Sequence, residues 1–163
     1  MQEFLTDFRR TIDEASQQLL RLSEKQSETA RAAGKWSPKE IVGHLIDSAA
    51  NNHLRFVRAQ LSDDLVFAGY EQEEWVRIQR YNEEPWGQLV RLWHHYNLHL
   101  VHLIAGIPSE TLKQPRSQHS LDRIAWQPVP ESESATLEYF IRDYLAHMKN
   151  HLRQILGDWS PPA

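Results

Sequence analysis

Apolar residues in this chain recur every three to four positions over four long stretches, a period that packed helices satisfy and strands do not. Side chains three and four apart leave the same face of a helix, so each stretch carries a stripe that must be buried. The first stretch covers residues 2–26, with Phe4, Leu5, Phe8, Ile12, Ala15, Leu19, Leu20 and Leu22 on its stripe and Gly34 as its expected stop. The second opens at Ser37-Pro38-Lys39-Glu40, a capping box with Pro at the first helical position. Here the serine hydroxyl takes an amide proton of the first turn and the glutamate reaches back to the cap. This helix is expected to run to about residue 61 and to include Val57 on its apolar side. Counting from Ile41, positions 45, 48, 49, 52 and 56 continue its buried stripe, and His44 lies on or beside it. Trp36 and Ile41 form the hydrophobic staple at its entry.

Pro85 opens a third helix, with Leu89, Leu92, Trp93, Tyr96, Leu100, Leu103 and Ile104 turned inward and Gly106 and Pro108 ending it. The fourth covers residues 136–156, is stopped by Gly157, and is kept from resuming by Pro161 and Pro162. Residues 62–85 read as a long connection holding one short helical piece, EQEEWVRIQRY. Residues 107–133, with Pro108, Pro115, Pro128 and Pro130, read as an ordered loop with an extended piece around 124–126. No repeat or strand pair is visible. The expected fold is all-α, a four-helix bundle with two long connections, forming a single domain over residues 1–163.

Charge and composition narrow the function. A net charge of −4 without clustered Lys and Arg argues against a nucleic-acid binder. With no cysteine, a metal would have to be held by histidine, carboxylate or water. No apolar run approaches the ~20 residues of a membrane span, and MQEFLTDFRR lacks the apolar core of a signal peptide, so the expected location is cytoplasmic.

Nine histidines are present. His147 and His151 stand four apart in HMKNH, one above the other on a helix face, where both can reach one divalent ion at roughly 2.0–2.1 Å. Two ligands make an incomplete site, and His44 is the candidate for the third. The competing set, His95, His99 and His102, falls mostly outside the apolar stripe of its helix and reads as a solvated face. His53 and His119 lack any partner spacing and are assigned no role. The plainer alternative for His147 and His151 is a pair of rings at the core edge with water-facing nitrogens.

GKWSPKEIVGHLIDSAANNHLRF resembles the signature second helix of the DinB superfamily, and TLEYFIRDYLAHMKNHLRQI resembles its closing helix. WGQLVRLWHHYNLHLVHLIAGIP is similar in character to the helix between. The resemblance implies an up-down-down-up bundle, in which residues 62–84 cross between parallel helices. It also implies a divalent metal held by His44, His147 and His151. Members with known activity include metal-dependent hydrolases and enzymes that use a low-molecular-weight thiol such as bacillithiol or mycothiol.

Three neutral imidazoles would leave an ion at +2 with at least one open position, the pattern of a catalytic site. A water there has its pKa lowered to about 7, and a thiol is deprotonated outright. Such a donor set suits Zn, Ni, Fe, Mn or Co. Met148, Lys149 and Asn150 separate the paired histidines, so the glutamate of H-E-x-x-H metalloproteases is missing. Asp47, one turn after His44 on the same face, is the candidate orienting residue or base, whereas Asp143 reads as a solvated charge. Trp75, Trp86 and Trp126, in or beside connections, are candidates to line a pocket or an interface. The expectation is a metal-dependent hydrolase or thiol transferase acting on a small molecule, forming a homodimer. The alternative is a non-catalytic metal- or ligand-binding bundle.

Overall fold

The computed structural model describes residues 1–157 and Trp159, and among these it has eight α-helices and no strands. Helix α1 (Gln2–Leu19) ends earlier than its apolar period suggests. The cause is a second capping box. Ser23 Oγ accepts from the Gln26 amide at 3.3 Å and Gln26 Oε1 accepts from the Ser23 amide at 2.8 Å, which starts a separate helix α2 (Glu24–Glu28). Gly34, with φ of 73°, therefore sits in a turn beyond α2 instead of ending a long first helix.

Helix α3 (Pro38–Arg58) begins as its capping box dictates, with Glu40 N–H to Ser37 Oγ at 3.2 Å and Ser37 N–H to Glu40 Oε2 at 2.7 Å. It stops at Ala59, short of residue 61, and Val57 is 37% exposed. Helix α4 (Gln72–Gln79) and a 3-10 turn (Tyr81–Glu83) fill the first connection before α5 (Trp86–Ala105). The second connection holds α6 (Ser109–Lys113) and α7 (Leu121–Ile124) where an extended piece was expected near 124. There the Arg123 and Ile124 amides bond back to Ser120 O, closing a helical turn. Extended pairing occurs instead at two isolated bridges, Leu65 with His119 and Arg116 with Ala135. Helix α8 (Leu137–Leu156) is capped by Thr136, whose side chain accepts from Tyr139 N–H at 3.1 Å. Pro161 and Pro162, expected to bar its continuation, lie outside the described residues.

The four long helices α1, α3, α5 and α8 form the bundle. Asp13 meets His94, and Trp86 Nε1 donates to Leu19 O, so the end of α1 lies at the start of α5 and the two run in opposite directions. Lys39 reaches Asn82, just before α5, while His53 meets Tyr96 and His99 farther on, so α3 and α5 run the same way. His44 meets His147 and His151, while Phe56 meets Phe140 and Tyr144, so α3 and α8 are antiparallel. Helix α5 is rotated relative to its expected stripe: Val90, Asn97 and Val101 are buried and Leu92 is 48% exposed. The buried Asn97 is satisfied, donating to Trp93 O and accepting from the Tyr144 hydroxyl.

Gly43 is held by a close approach. A Cβ at this position would lie 2.0 Å from the ring of Tyr81, which the first connection lays flat on α3. Gly43→Ala is expected to cost about 1–3 kcal/mol or more, because an aromatic ring inside a packed interior has nowhere to move. Ser37→Ala, which loses the cap and a 2.7 Å bond to Asn82, is expected to cost about 1–2 kcal/mol. Urea unfolding of the two variants checks both figures.

Candidate metal centre

Two local features carry the histidines into place. The capping box sets where α3 begins, which puts His44 two turns inside it on the face turned to α8. On α8, His147 and His151 are one turn apart, and the antiparallel crossing brings them level with His44. Ring centroids lie 5.2 Å apart for His44 and His147, 4.8 Å for His44 and His151, and 4.6 Å for His147 and His151. Interplanar angles of 80°, 65° and 78° splay the rings about a common centre instead of stacking them. One nitrogen from each ring lies within 4.8 Å of the others, the one such group among the described residues.

The donor set fits a divalent ion. The Nε2 atoms of His44 and His147 are 3.3 Å apart, and two ligands at 2.0–2.1 Å around a tetrahedral ion are separated by about 3.3–3.4 Å. Burial lowers the pKa of His44 from 6.5 to about 3, with a further push from His151. Burial also brings His147 to about 3, helped by His151 and His44. His151 is lowered by burial as well, against an opposing hydrogen bond to Gln154. At neutral pH all three are therefore neutral, the form that coordinates a cation. Gln154 Oε1 accepts from His151 Nδ1 at 3.1 Å, which leaves the Nε2 lone pair of His151 free to point inward. His44 Nδ1 is buried with no partner among the described residues.

Asp47 is not that partner. Its Oδ1 accepts from the Tyr81 hydroxyl at 2.7 Å and from Gln79 at 2.6 Å, and it makes no hydrogen bond to any of the three histidines. Burial raises its pKa, with Tyr81 and Gln79 opposing. Asp143 is no solvated charge either: it is 7% exposed, and its two oxygens accept from the Trp126 and Gln127 amides at 2.7 and 2.8 Å. That clamp pins the second connection to α8 and lays Trp126 against His147, with centroids 5.6 Å apart. Trp36, read as a staple, covers the site from the other side, 5.1 Å from His44 and 6.5 Å from His151. His95, His99 and His102 are solvent-exposed, and His119 is structural, bonding Glu133 O and Leu121 N–H. Trp86 is buried in the core and Trp75 packs on Tyr70.

A cavity of about 360 Å³ opens over His147 and His151. Ser48, Asn52 and Arg55 of α3 form one wall, and Tyr70, Trp126 and Tyr144 contribute to the others. The apolar period puts Ser48 and Asn52 on the buried stripe of α3 although both are polar. Polar residues at helical spacing from a candidate ligand were the signal that could have found this wall.

The chain matches the DinB superfamily over residues 7–155. A protein of Oceanobacillus iheyensis named as a candidate metal-dependent hydrolase is 30% identical over 61 residues, 37% of this chain and 36% of that one. A Bacillus mycoides protein of the same designation is 30% identical over 57 residues, 35% of this chain and 33% of its own length. The chain thus spans about a third of the length of these relatives where it matches them. YfiT from Bacillus subtilis, described as a candidate metal-dependent hydrolase with an unusual four-helix bundle topology, superposes with a TM-score of 0.77 at 17% identity, covering 95% of this chain and 83% of that one. At that identity the likeness is one of fold.

The lowered histidine pKa values set a pH dependence. Between pH 6.5 and about 3 the unfolded chain binds protons at His44 and His147 that the folded chain refuses. This contribution to stability is complete above pH 6.5 and declines as pH falls toward 3. The urea midpoint of metal-free protein is expected to drop on acidification from pH 7 to 5, and His147→Gln to flatten that drop.

Proposed function

The chain belongs to the DinB superfamily, and from that premise we propose that it is a divalent-metal-dependent hydrolase acting on a small molecule. The observation that carries this reading is the convergence of His44, His147 and His151 under an open cavity of about 360 Å³. A binding protein with a purely structural ion would have no use for the opening, since closed sites employ four protein ligands. The designation of the Oceanobacillus and Bacillus relatives as candidate hydrolases supports the same reading.

In this proposal His44, His147 and His151 would hold the ion, which would supply Lewis-acid polarisation of a bound substrate or water. The protein does the rest. Gln154 holds His151 in the tautomer that offers Nε2 inward. Trp36 and Trp126 pack against the imidazoles and restrict their orientation. Asp47 acts as a positioning residue: it anchors the Tyr81 hydroxyl, and the Tyr81 ring braces the α3 backbone at Gly43, next to His44. Asp143 holds the cavity wall through the Trp126 and Gln127 amides.

Protein purified without a histidine tag is expected to carry about one divalent ion per chain. His44→Ala, His147→Ala and His151→Ala should each take metal content and hydrolysis to background while the helical circular dichroism remains. Retention of the full metal content by any two of them would sink the assignment. A screen of ester, amide and lactone substrates, with and without a low-molecular-weight thiol, separates hydrolysis from thiol transfer. Asp143→Ala should keep the metal but lose about 2–3 kcal/mol of stability and raise KM, because the clamp on the Trp126 wall is lost.

A further inference from the structure

One cation on the cavity wall has no counter-ion among the described residues. Arg55 is only 7% exposed, yet it forms no ion pair among the described residues. Its one hydrogen bond is from Nη2 to Ala68 O at 2.8 Å, and its guanidinium lies 6.0 Å over the Phe140 ring. Among the described residues Nε and Nη1 have no acceptor, and Arg55 lines the cavity. A buried guanidinium without an anion is costly to keep, and its planar fork is suited to a carboxylate or phosphate. Arg123 stands at the same cavity, but its Nε is paired with Asp122 Oδ2 at 3.3 Å. Among the described residues the one carboxylate on the lining is Asp143, whose oxygens accept from the Trp126 and Gln127 amides. An anion entering this cavity meets one guanidinium, that of Arg55, with no carboxylate paired to it.

Position gives the ligand its shape. His44, Ser48, Asn52 and Arg55 lie at helical spacing along α3, leading from the metal centre to the guanidinium. On α8, Phe140 beneath Arg55 is seven residues from His147, or roughly 10 Å along the axis. Asn52 donates to Ser48 O and Oγ, and its Oδ1 is buried without a partner.

We infer that the substrate of this site is a small organic anion whose carboxylate or phosphate is held by Arg55, roughly 10–16 Å along the α3–α8 seam from the histidines that face its reactive end. This rests on the trihistidine reading for the reactive end only. The anion subsite stands on Arg55 and the cavity.

The test uses the full chain stripped of metal, so that no anion can bind through an ion. Isothermal titration is run with aryl-alkyl carboxylates of two to six carbons, with the amide of each, and with phenyl phosphate. The unaltered protein is expected to bind at least one acid and not its amide. Arg55→Met should weaken that binding roughly tenfold or more, and Arg55→Lys should retain part of it. Phenyl phosphate binding in place of the carboxylates, with the same dependence on Arg55, supports the subsite and assigns it to phosphoryl groups. Equal binding of acids and amides, binding of neither class of anion, or undiminished binding by Arg55→Met overturns it. The acid-against-amide comparison needs no variant, so it decides even where Arg55→Met fails to fold. Metal uptake is measured on the same proteins: Arg55→Met should load as the unaltered chain does. Failure of the unaltered chain to load sinks the trihistidine reading and leaves the anion result untouched.

Discussion

The antiparallel seam between α3 and α8 is the contact on which the rest of the molecule depends. Away from the histidines it is an aromatic joint. Phe56 meets Phe140 and Tyr144 edge-on with centroids 5.8 and 5.9 Å apart, and Phe8 of α1 closes on Tyr144 at 6.0 Å. Rings in such arrangements bury large areas and favour few relative orientations, so the joint sets both rotation and register of the two helices. The histidines at the other end inherit that register. A shift of one residue would turn a side chain about 100° around its helix and carry an imidazole away from the shared centre. The metal centre is in this sense a product of core packing.

A polar knot performs the corresponding task at the start of α3. Lys39 is 2% exposed, and its ammonium is met by Glu24 at 2.5 Å, Glu28 at 3.1 Å and Asn82 O at 3.2 Å. Glu24 also accepts the Trp86 amide, so it supplies a negative group to the N-terminus of α5, where Pro85 offers no side-chain cap. The short helix α2 thereby ties α3 to α5 close to the point where Trp36 and Tyr81 close around the first histidine. The cavity is lined by helices α3 and α8 on one side and by the two connections on the other. Rigid elements hold the imidazoles, while the connections carry Tyr70 and Trp126.

What could be read without the structure was what the chain encodes locally. The Ser37 box and the turn-spaced pair in HMKNH each lie within one or two helical turns, and each is found where the pattern put it, whereas the long apolar periods gave the helices but not all of their ends. The Ser23–Gln26 box obeys the same rule and was legible, but the continuous apolar period across it hid the break. Leu92 departs from the apolar stripe for another reason. Hydrophobicity alone does not fix the rotation of a helix, and the burial of Trp93 with a hydrogen-bonded Asn97 turned α5 so that Leu92 faces outward. Asp143 looked like a surface charge because its partners, the amides of Trp126 and Gln127, are backbone groups of a proline-rich loop whose path no periodicity describes.

The sequence by itself determined that the fold is built of long helices, where the capping boxes start two helices, and that cysteine is absent from the metal donors, because caps, periods and composition act over a few residues. Only the tertiary structure decided which donors meet. His44 and His147 are 103 positions apart, and their 3.3 Å approach exists because two helices cross at one register. The same holds for Tyr81 lying on Gly43, Trp36 covering the imidazoles, and Arg55 facing a cavity without a counter-ion. Each is a distance between segments remote in sequence, set by the packing of the whole core and written in no single stretch of the chain.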